Sequence, residues 1–520
     1  MTRPKFTQVV EELLMPVKPP RKTLRVLFVA SELSPYSTVG GLGRVTFFLP
    51  RALMSLGHDI RVMIPKYGKI DLEKYPMEMV YEGLEIPTSS TETKSLICNV
   101  KTHKLSDGPR AYFLENMEYY EKRANEYGYV DDPLRWALLN RGVIEFMKHS
   151  DWKPDIIHSN DWQTGLIPQY LKTIYRKEPL AELVATVYTI HNLYFQGNFD
   201  HRFVSDLDYD DGKSRIPSFF SPRLPKINSM RRGIMFADVI NTVSETYAKE
   251  ILTPDYGEKL DELLREVRTK LFGVLNGIDY NEFNSSTDKI VRFNYDAKSL
   301  GVRQKNKLFL QDEFNLPNDV DIPVLAISGR LDEQKGLDLL MEVADPLLSE
   351  YNVQLIVNGG GDNKYRGFFD DLQKRYPNKV STNLTPNFEL PRHIFSGADM
   401  ILLPSKFEPC GMVQMEAMRY GCIPVVRATG GLADTIDDNE NGFSFKKFDR
   451  WVFFATLIRA LEAYKDKKRW SELIRTAMKK DFSWDESARK YVDLYFRAIE
   501  LKTQRKLAKS HLGYKSDEDF

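Results

Sequence analysis

Two doubly wound α/β domains are the fold class this sequence predicts. The prediction rests on its length, on two separate runs of strand–turn–helix alternation, and on a polar interruption that parts the runs. The 520 residues exceed the roughly 250–300 that a single hydrophobic core usually serves.

The first run opens with LRVLFVA at 24–30, continues through the glycine turn VGGLGRV, and enters a helical TFFLPRALMSLG that stops at Gly57. DIRVMI then completes a βαβ unit. The alternation recurs at PDIIHS before a helix starting near Trp162, at VATVYTI, and at DVINTV before SETYAKEIL. Such uninterrupted apolar strands suit a parallel sheet covered by helices on both faces. After LFGVLNGIDYNEFN the chain turns polar, and alternation restarts with PVLAISG, NVQLIVNGG, MILLPS and CIPVVRA, each trailed by a helical stretch.

These patterns place an extended, proline-bearing leader at 1–22, the first domain at 23–280 and the second at 281–482. A helix at 483–500 is expected to pack back toward the first domain. Residues 501–520 read as a flexible tail, because lysine, serine and acidic residues leave too little apolar content for a packed element.

With 73 basic residues against 73 acidic ones, no charge bias points to nucleic acid or to an anionic membrane. The apolar run at 24–30 has the length of a strand, and nothing resembling a signal peptide precedes it. The three cysteines, Cys98, Cys410 and Cys422, share no CxxC spacing, so a reducing cytoplasm is the expected compartment.

Several residues could carry chemistry. Gly40 and Gly41 open a helix just after the first strand, where bare backbone amides can approach an anion; a plain tight turn explains them equally well. About 20 residues past Gly43, the last glycine of the loop, Met63–Lys66 stand in place of an acid, which argues against a dinucleotide site. Arg330 and Lys335, after PVLAISG, set two cations at the carboxyl edge of a parallel sheet, where ligands bind and where a departing diphosphate would need them, although for an isolated pair solvated turn charges are the commoner explanation. Glu408 and Glu416 flank a Pro409–Gly411 turn that leads into a helix whose free amides suit phosphate oxygens, although either acid alone also suits a helix start. Asp161, in HSNDWQTG, and the pair His191 and Asn192, in YTIHNLYFQGNF, each follow a predicted strand, although a lone histidine is more often structural.

Taken together, VGGLGRV, SNDWQTG, YTIHNLYFQGNF, TVSETYAKEILTPDYG, VLNGID, SGRLDEQKGLDLL, PSKFEPCGMVQMEAMRYG and VVRATGGLADT resemble the bacterial and plant glycogen and starch synthase family, from about residue 26 to 495. The resemblance implies a retaining glycosyltransferase whose two Rossmann-like domains face a central cleft, the GT-B architecture. It also implies a nucleotide-glucose donor, ADP-glucose foremost, and an α-1,4-glucan acceptor extended at its 4-hydroxyl. No metal and no cofactor are expected, because arginine and lysine neutralise the leaving diphosphate.

Carried over residue by residue, the resemblance makes Asp161, His191, Arg330, Lys335 and Glu408 the catalytic set. Arg330 and Lys335 grip the diphosphate with help from the amides of Gly411 and Met412, and Glu408 bonds the donor glucose. Asp161, His191 and Asn192 line the other side of the sugar, Glu416 reaches the ribose, and Thr429, Gly430 and Gly431 shape the phosphate pocket. Thr38, Gly40, Gly41, Arg44, Gln196 and Gly329 complete the substrate-binding set. Thr38 and Arg44 stand where the family usually carries a lysine and an acid, and Pro386 stands where a base-stacking aromatic is common, with Phe388 nearby. These departures keep open a catalytically silent glucan-binding relative, and a synthase that prefers UDP- or GDP-glucose.

Overall fold

The computed structural model describes residues 23–197, 201, 204–205, 209–385, 387 and 389–511. The chain divides into two compact units. One runs to Val243 and takes in Ala248–Val274 and the stretch from Ser487; the other comprises Ser244–Tyr247 and Leu275–Glu486.

The first unit is built on β1 (Arg25–Val29), β2 (Asp59–Pro65), β3 (Glu78–Pro87), β4 (Ser95–Lys104), β5 (Arg110–Glu115), β6 (Ile156–Asn160), β7 (Ala185–Ile190), β8 (Val239–Thr242) and β9 (Leu271–Gly273). They form one sheet in the order β3-β4-β5-β2-β1-β6-β7-β8-β9. Every pair from β5 to β9 is parallel, and β6, β7 and β8 bury every residue, as the apolar runs predict. The antiparallel β3–β4–β5 flank went unread in the sequence. β3 and β4 are only partly covered, and β4 buries alternate residues from Cys98 to Thr102, a weaker signal than a continuous apolar run.

The second unit carries β10 (Val324–Ser328), β11 (Gln354–Asn358), β12 (Val380–Asn383), β13 (Met400–Leu403), β14 (Ile423–Arg427) and β15 (Phe443–Phe445). All are parallel, in the order β12-β11-β10-β13-β14-β15. Residues 275–280, assigned by sequence to the first domain, belong with this unit. Ile278 N–H donates to Phe482 O at 2.8 Å, and Gly277 lies so close to Trp484 that a Cβ would stand 2.6 Å from its backbone nitrogen.

The final helix, Trp484–His511, returns to the first unit and buries Ala488, Tyr491, Tyr495 and Ala498 completely. Their spacing of three and four residues is one helical face. The helix continues through residues 501–511, where a flexible tail was expected. Charged side chains rather than apolar ones hold it there: Lys502 Nζ donates to Ala181 O at 2.7 Å, and Arg505 pairs with Asp238 at 2.9 Å. The leader at 1–22 and residues 512–520 lie outside the described residues. Among the described residues no helix is long and apolar enough to cross a membrane.

Candidate active site

In open α/β sheets ligands collect beyond the carboxyl ends of the strands at the point where strand order reverses. In the first unit that point lies beside β1, whose neighbours are β2 and β6. Asp161 follows β6 directly, with φ 56° and ψ −179°, a backbone state that L residues rarely adopt and that marks a site worth its strain. Its Oδ1 accepts the His191 N–H at 2.8 Å, just past the end of β7, and the Asn192 amide supports it too. Burial pushes the carboxyl up to about 7, with the nearby charge of Glu32 adding to the rise against the pull of those two amides. Burial drives His191 the other way, to about 3, so its imidazole is neutral. Asn192 Oδ1 accepts the Tyr194 N–H at 3.1 Å and fixes the turn that follows.

Glu32 is the residue that sequence reasoning missed. Only 4% exposed, it accepts the amides of Val39 at 2.7 Å and Gly40 at 3.1 Å on Oε2, and the Tyr127 hydroxyl on Oε1. The Gly40 amide, assigned by sequence to an anionic ligand, is therefore occupied by the chain's own carboxylate. An acid in the segment between the first strand and the glycines was the available signal.

Steric need falls on Gly43, where a Cβ would meet Ser37 O at 2.9 Å; a Cβ on Gly40 would meet nothing within 4 Å. Gly40, Gly41 and Thr38 are exposed and Arg44 is half-buried. Thr38 Oγ1 lies 2.6 Å from Ser34 Oγ. Gln196 does not fit the role assigned to it. It is buried, with Nε2 donating to Glu258 O at 2.8 Å and Oε1 accepting from Asn228 Nδ2 at 2.8 Å, so its amide is spent on holding loops together.

In the second unit the reversal lies beside β10, whose neighbours are β11 and β13. The chain leaves β10 through Gly329, at φ 145°, into Arg330, whose side chain is 61% exposed and pairs with Asp332 at 3.1 Å. Asp332 caps the short turn Glu333–Lys335, and Lys335 Nζ reaches Glu408 Oε2 at 2.7 Å. Ser405 Oγ donates to the same oxygen at 3.1 Å. The sequence pairs neither of these with Glu408, 73 residues from Lys335.

The turn before the helix Val413–Arg419 needs Gly411, at φ 67°; Met412 is its N-cap and Glu416, 7% exposed, sits in its first turn. Beside Thr429, Gly430 and Gly431 pack against the backbone of the loop that carries Glu408. Gly431 N–H donates to Glu408 O at 3.1 Å, and Cβ atoms on Gly430 and Gly431 would stand 1.8 Å from Glu408 O and 1.9 Å from Cys410 O. A second glycine strip, also unread in the sequence, runs against the first: Cβ atoms on Gly359 and Gly361 would stand 1.8 Å from Gly329 O and 2.2 Å from Leu331 O. Pro386 and Phe388 lie outside the described residues.

Residues 25–266 match the starch synthase catalytic domain family, and residues 310–477 match the glycosyl transferases group 1 family. A glycogen synthase of Thermotoga petrophila is 42% identical over 487 residues, spanning 92% of this chain and 99% of its own. One from Clostridium beijerinckii is 42% identical over 492 residues, spanning 91% and 98%. Among solved structures, the catalytic domain of starch synthase IV from Arabidopsis thaliana, bound to ADP and acarbose, superposes with a TM-score of 0.79 at 29% identity, over 92% of this chain and 99% of that one. A sucrose-phosphate synthase from Thermosynechococcus elongatus, with TM-score 0.57 at 17% identity over 94% of this chain and 100% of that one, shares the fold alone.

Proposed function

Because the chain belongs to the glycogen and starch synthase family of glycosyltransferases, we propose that it transfers glucose from ADP-glucose to the 4-hydroxyl at the non-reducing end of an α-1,4-glucan, with retention of configuration. The observation that carries this reading is the Lys335–Glu408 pair at the strand-order reversal of the second unit, with the Arg330 side chain exposed on the same loop.

Glucosyl transfer from a nucleoside diphosphate builds negative charge on the leaving oxygen and positive charge on the sugar ring. Two fixed cations address the first, and need no reorganisation as the bond breaks. Arg330 and Lys335 supply them, with the Gly411 and Met412 amides beside them, so no metal ion or cofactor enters the proposal. Glu408, oriented by Lys335 and Ser405, takes hydroxyls of the donor sugar. Retention follows from attack on the face the diphosphate leaves, the acceptor hydroxyl passing its proton to the departing phosphate. The family resemblance assigns Asp161 and the neutral His191 of the first unit to substrate binding as well. The ADP held by the plant starch synthase supports adenine as the donor base. Three free, buried thiols, Cys98, Cys410 and Cys422, suit a reducing cytoplasm.

The test is incorporation of radiolabelled glucose into glycogen from ADP-, UDP- and GDP-glucose, with and without EDTA. ADP-glucose is expected to give the highest kcat/KM, unaffected by chelation. No incorporation from any donor would establish the silent glucan-binding reading instead. Arg44 offers a cation one residue past Gly43, so Arg44→Ala is expected to raise donor KM several-fold; unchanged KM and kcat remove it from the site.

A further inference from the structure

The two histidines near the first unit's site are partnered differently. His158 has both ring nitrogens engaged, Nε2 with Thr189 Oγ1 at 2.6 Å and Nδ1 with Tyr495 OH at 3.0 Å. His191 uses only Nε2, 2.9 Å from Asn160 Oδ1; among the described residues nothing stands at hydrogen-bond distance from its Nδ1.

Which of these atoms carries the proton follows from Asn160. Its Nδ2 donates to two backbone carbonyls, Val29 O at 3.1 Å and His158 O at 3.2 Å. A flipped amide would set its oxygen against both carbonyls, so the orientation is determined by the network. Oδ1, which can only accept, therefore faces His191 Nε2, and that nitrogen must be the donor. Burial keeps the imidazole neutral, with a single ring proton. The Nδ1 lone pair is left bare on a half-buried side chain.

We propose that Asn160 is a positioning residue that locks His191 in the Nε2–H tautomer, so that His191 meets the substrate as a hydrogen-bond acceptor and recognises a hydroxyl by its hydrogen. A ligand group without a hydrogen to donate gains nothing at that edge, and a buried acceptor left unpaired penalises it. This deepens the glucosyl-transfer reading and depends on it only for the kinetic arm of the test; the tautomer itself is independent of turnover.

The experiment compares Asn160→Ala and Asn160→Asp in the full chain labelled with 15N-histidine, using His191→Gln to assign the His191 resonance in long-range proton–nitrogen spectra. Both variants lose the amide donors to Val29 O and His158 O, but only Asn160→Asp keeps an acceptor for Nε2–H. The wild type and Asn160→Asp are expected to show the Nε2–H pattern, and Asn160→Ala a mixture of tautomers. In glucose incorporation, Asn160→Ala is expected to lose about tenfold to a hundredfold in kcat, the scale known for residues that orient a metal-bound histidine, with Asn160→Asp losing less. Among monodeoxyglucose donors, the one that the wild type discriminates against most should be tolerated by Asn160→Ala relative to its own glucose rate. An Nδ1–H pattern in the wild type, or Ala and Asp variants with the same tautomer mixture and the same rate, overturns the proposal. Failure of glucosyl transfer with the Nε2–H pattern intact would count against the functional reading alone.

Discussion

Asp161 combines a rare backbone state with a carboxyl raised from 3.8 to about 7 by burial and by the charge of Glu32. A group whose folded value exceeds its unfolded one favours folding when protonated, so this carboxyl costs stability as pH rises from about 4 through 7. Asp161→Asn keeps an oxygen for the His191 amide and removes the titration. Its Tm is expected to exceed that of the wild type at pH 8, with the gap closing toward pH 4; a gap independent of pH would contradict the assignment. Lys335 poses the opposite problem, because removing it leaves the Glu408 carboxylate, with an 8% exposed side chain, without its cation. Lys335→Ala is expected to cost about 1–3 kcal/mol in urea unfolding and about a hundredfold in kcat, whereas Lys335→Arg keeps the charge and loses less of both.

At the scale of elements, the glycine loops divide into those that need glycine and those that merely contain it. Gly430 lies at φ 46° with Glu408 O where its Cβ would be, whereas Gly40 is extended and open. Gly430→Ala is therefore expected to cost more than about 2 kcal/mol and to cut kcat by displacing Glu408. Gly40→Ala should stay within about 0.5 kcal/mol. Chemical denaturation of the two variants side by side checks this, and a tolerated Gly430→Ala would refute the close-approach argument. The same contrast explains what the loop sequences concealed. VGGLGRV looks like an anion cradle because its glycines adjoin a helix start, yet Glu32, seven and eight residues before the amides it fills, had already taken that role.

At the scale of the whole molecule, the final helix closes the first unit rather than ending the second. Tyr491 and Tyr495 are fully buried, with hydroxyls on Asn241 and His158 at 2.8 and 3.0 Å. Deleting residues from 487 onward removes two tyrosines that each contribute several kcal/mol, against a total stability of about 5–15 kcal/mol for a domain. That truncation is expected to leave the first unit unfolded by circular dichroism. Ending the chain at 500 removes the Lys502, Arg505 and Lys506 ties among others and should lower Tm by a few degrees. His158 and His191, both held near 3 by burial, stay neutral in the fold but protonate in the unfolded chain below about 6.5. Their contribution to stability is thus present above that value and is lost on acidification toward pH 3.

The sequence by itself determined the parallel strands, the two-unit architecture and the residues at the strand ends, because apolar periodicity and strand-to-helix turns are written in neighbouring residues. Asp161, His191, Arg330, Lys335 and Glu408 were all legible in this way, each a few residues past an apolar run. Only the tertiary structure decided their partners: Glu32 on the glycine-loop amides, Asn160 on His191, Glu408 on Lys335, and Gln196 withdrawn into the interior. It also decided that charged residues carry the last helix through to His511. The physical reason is range. A hydrogen bond such as His158 to Tyr495 joins residues 337 positions apart, and which atoms meet across that distance is set by the packing of whole elements.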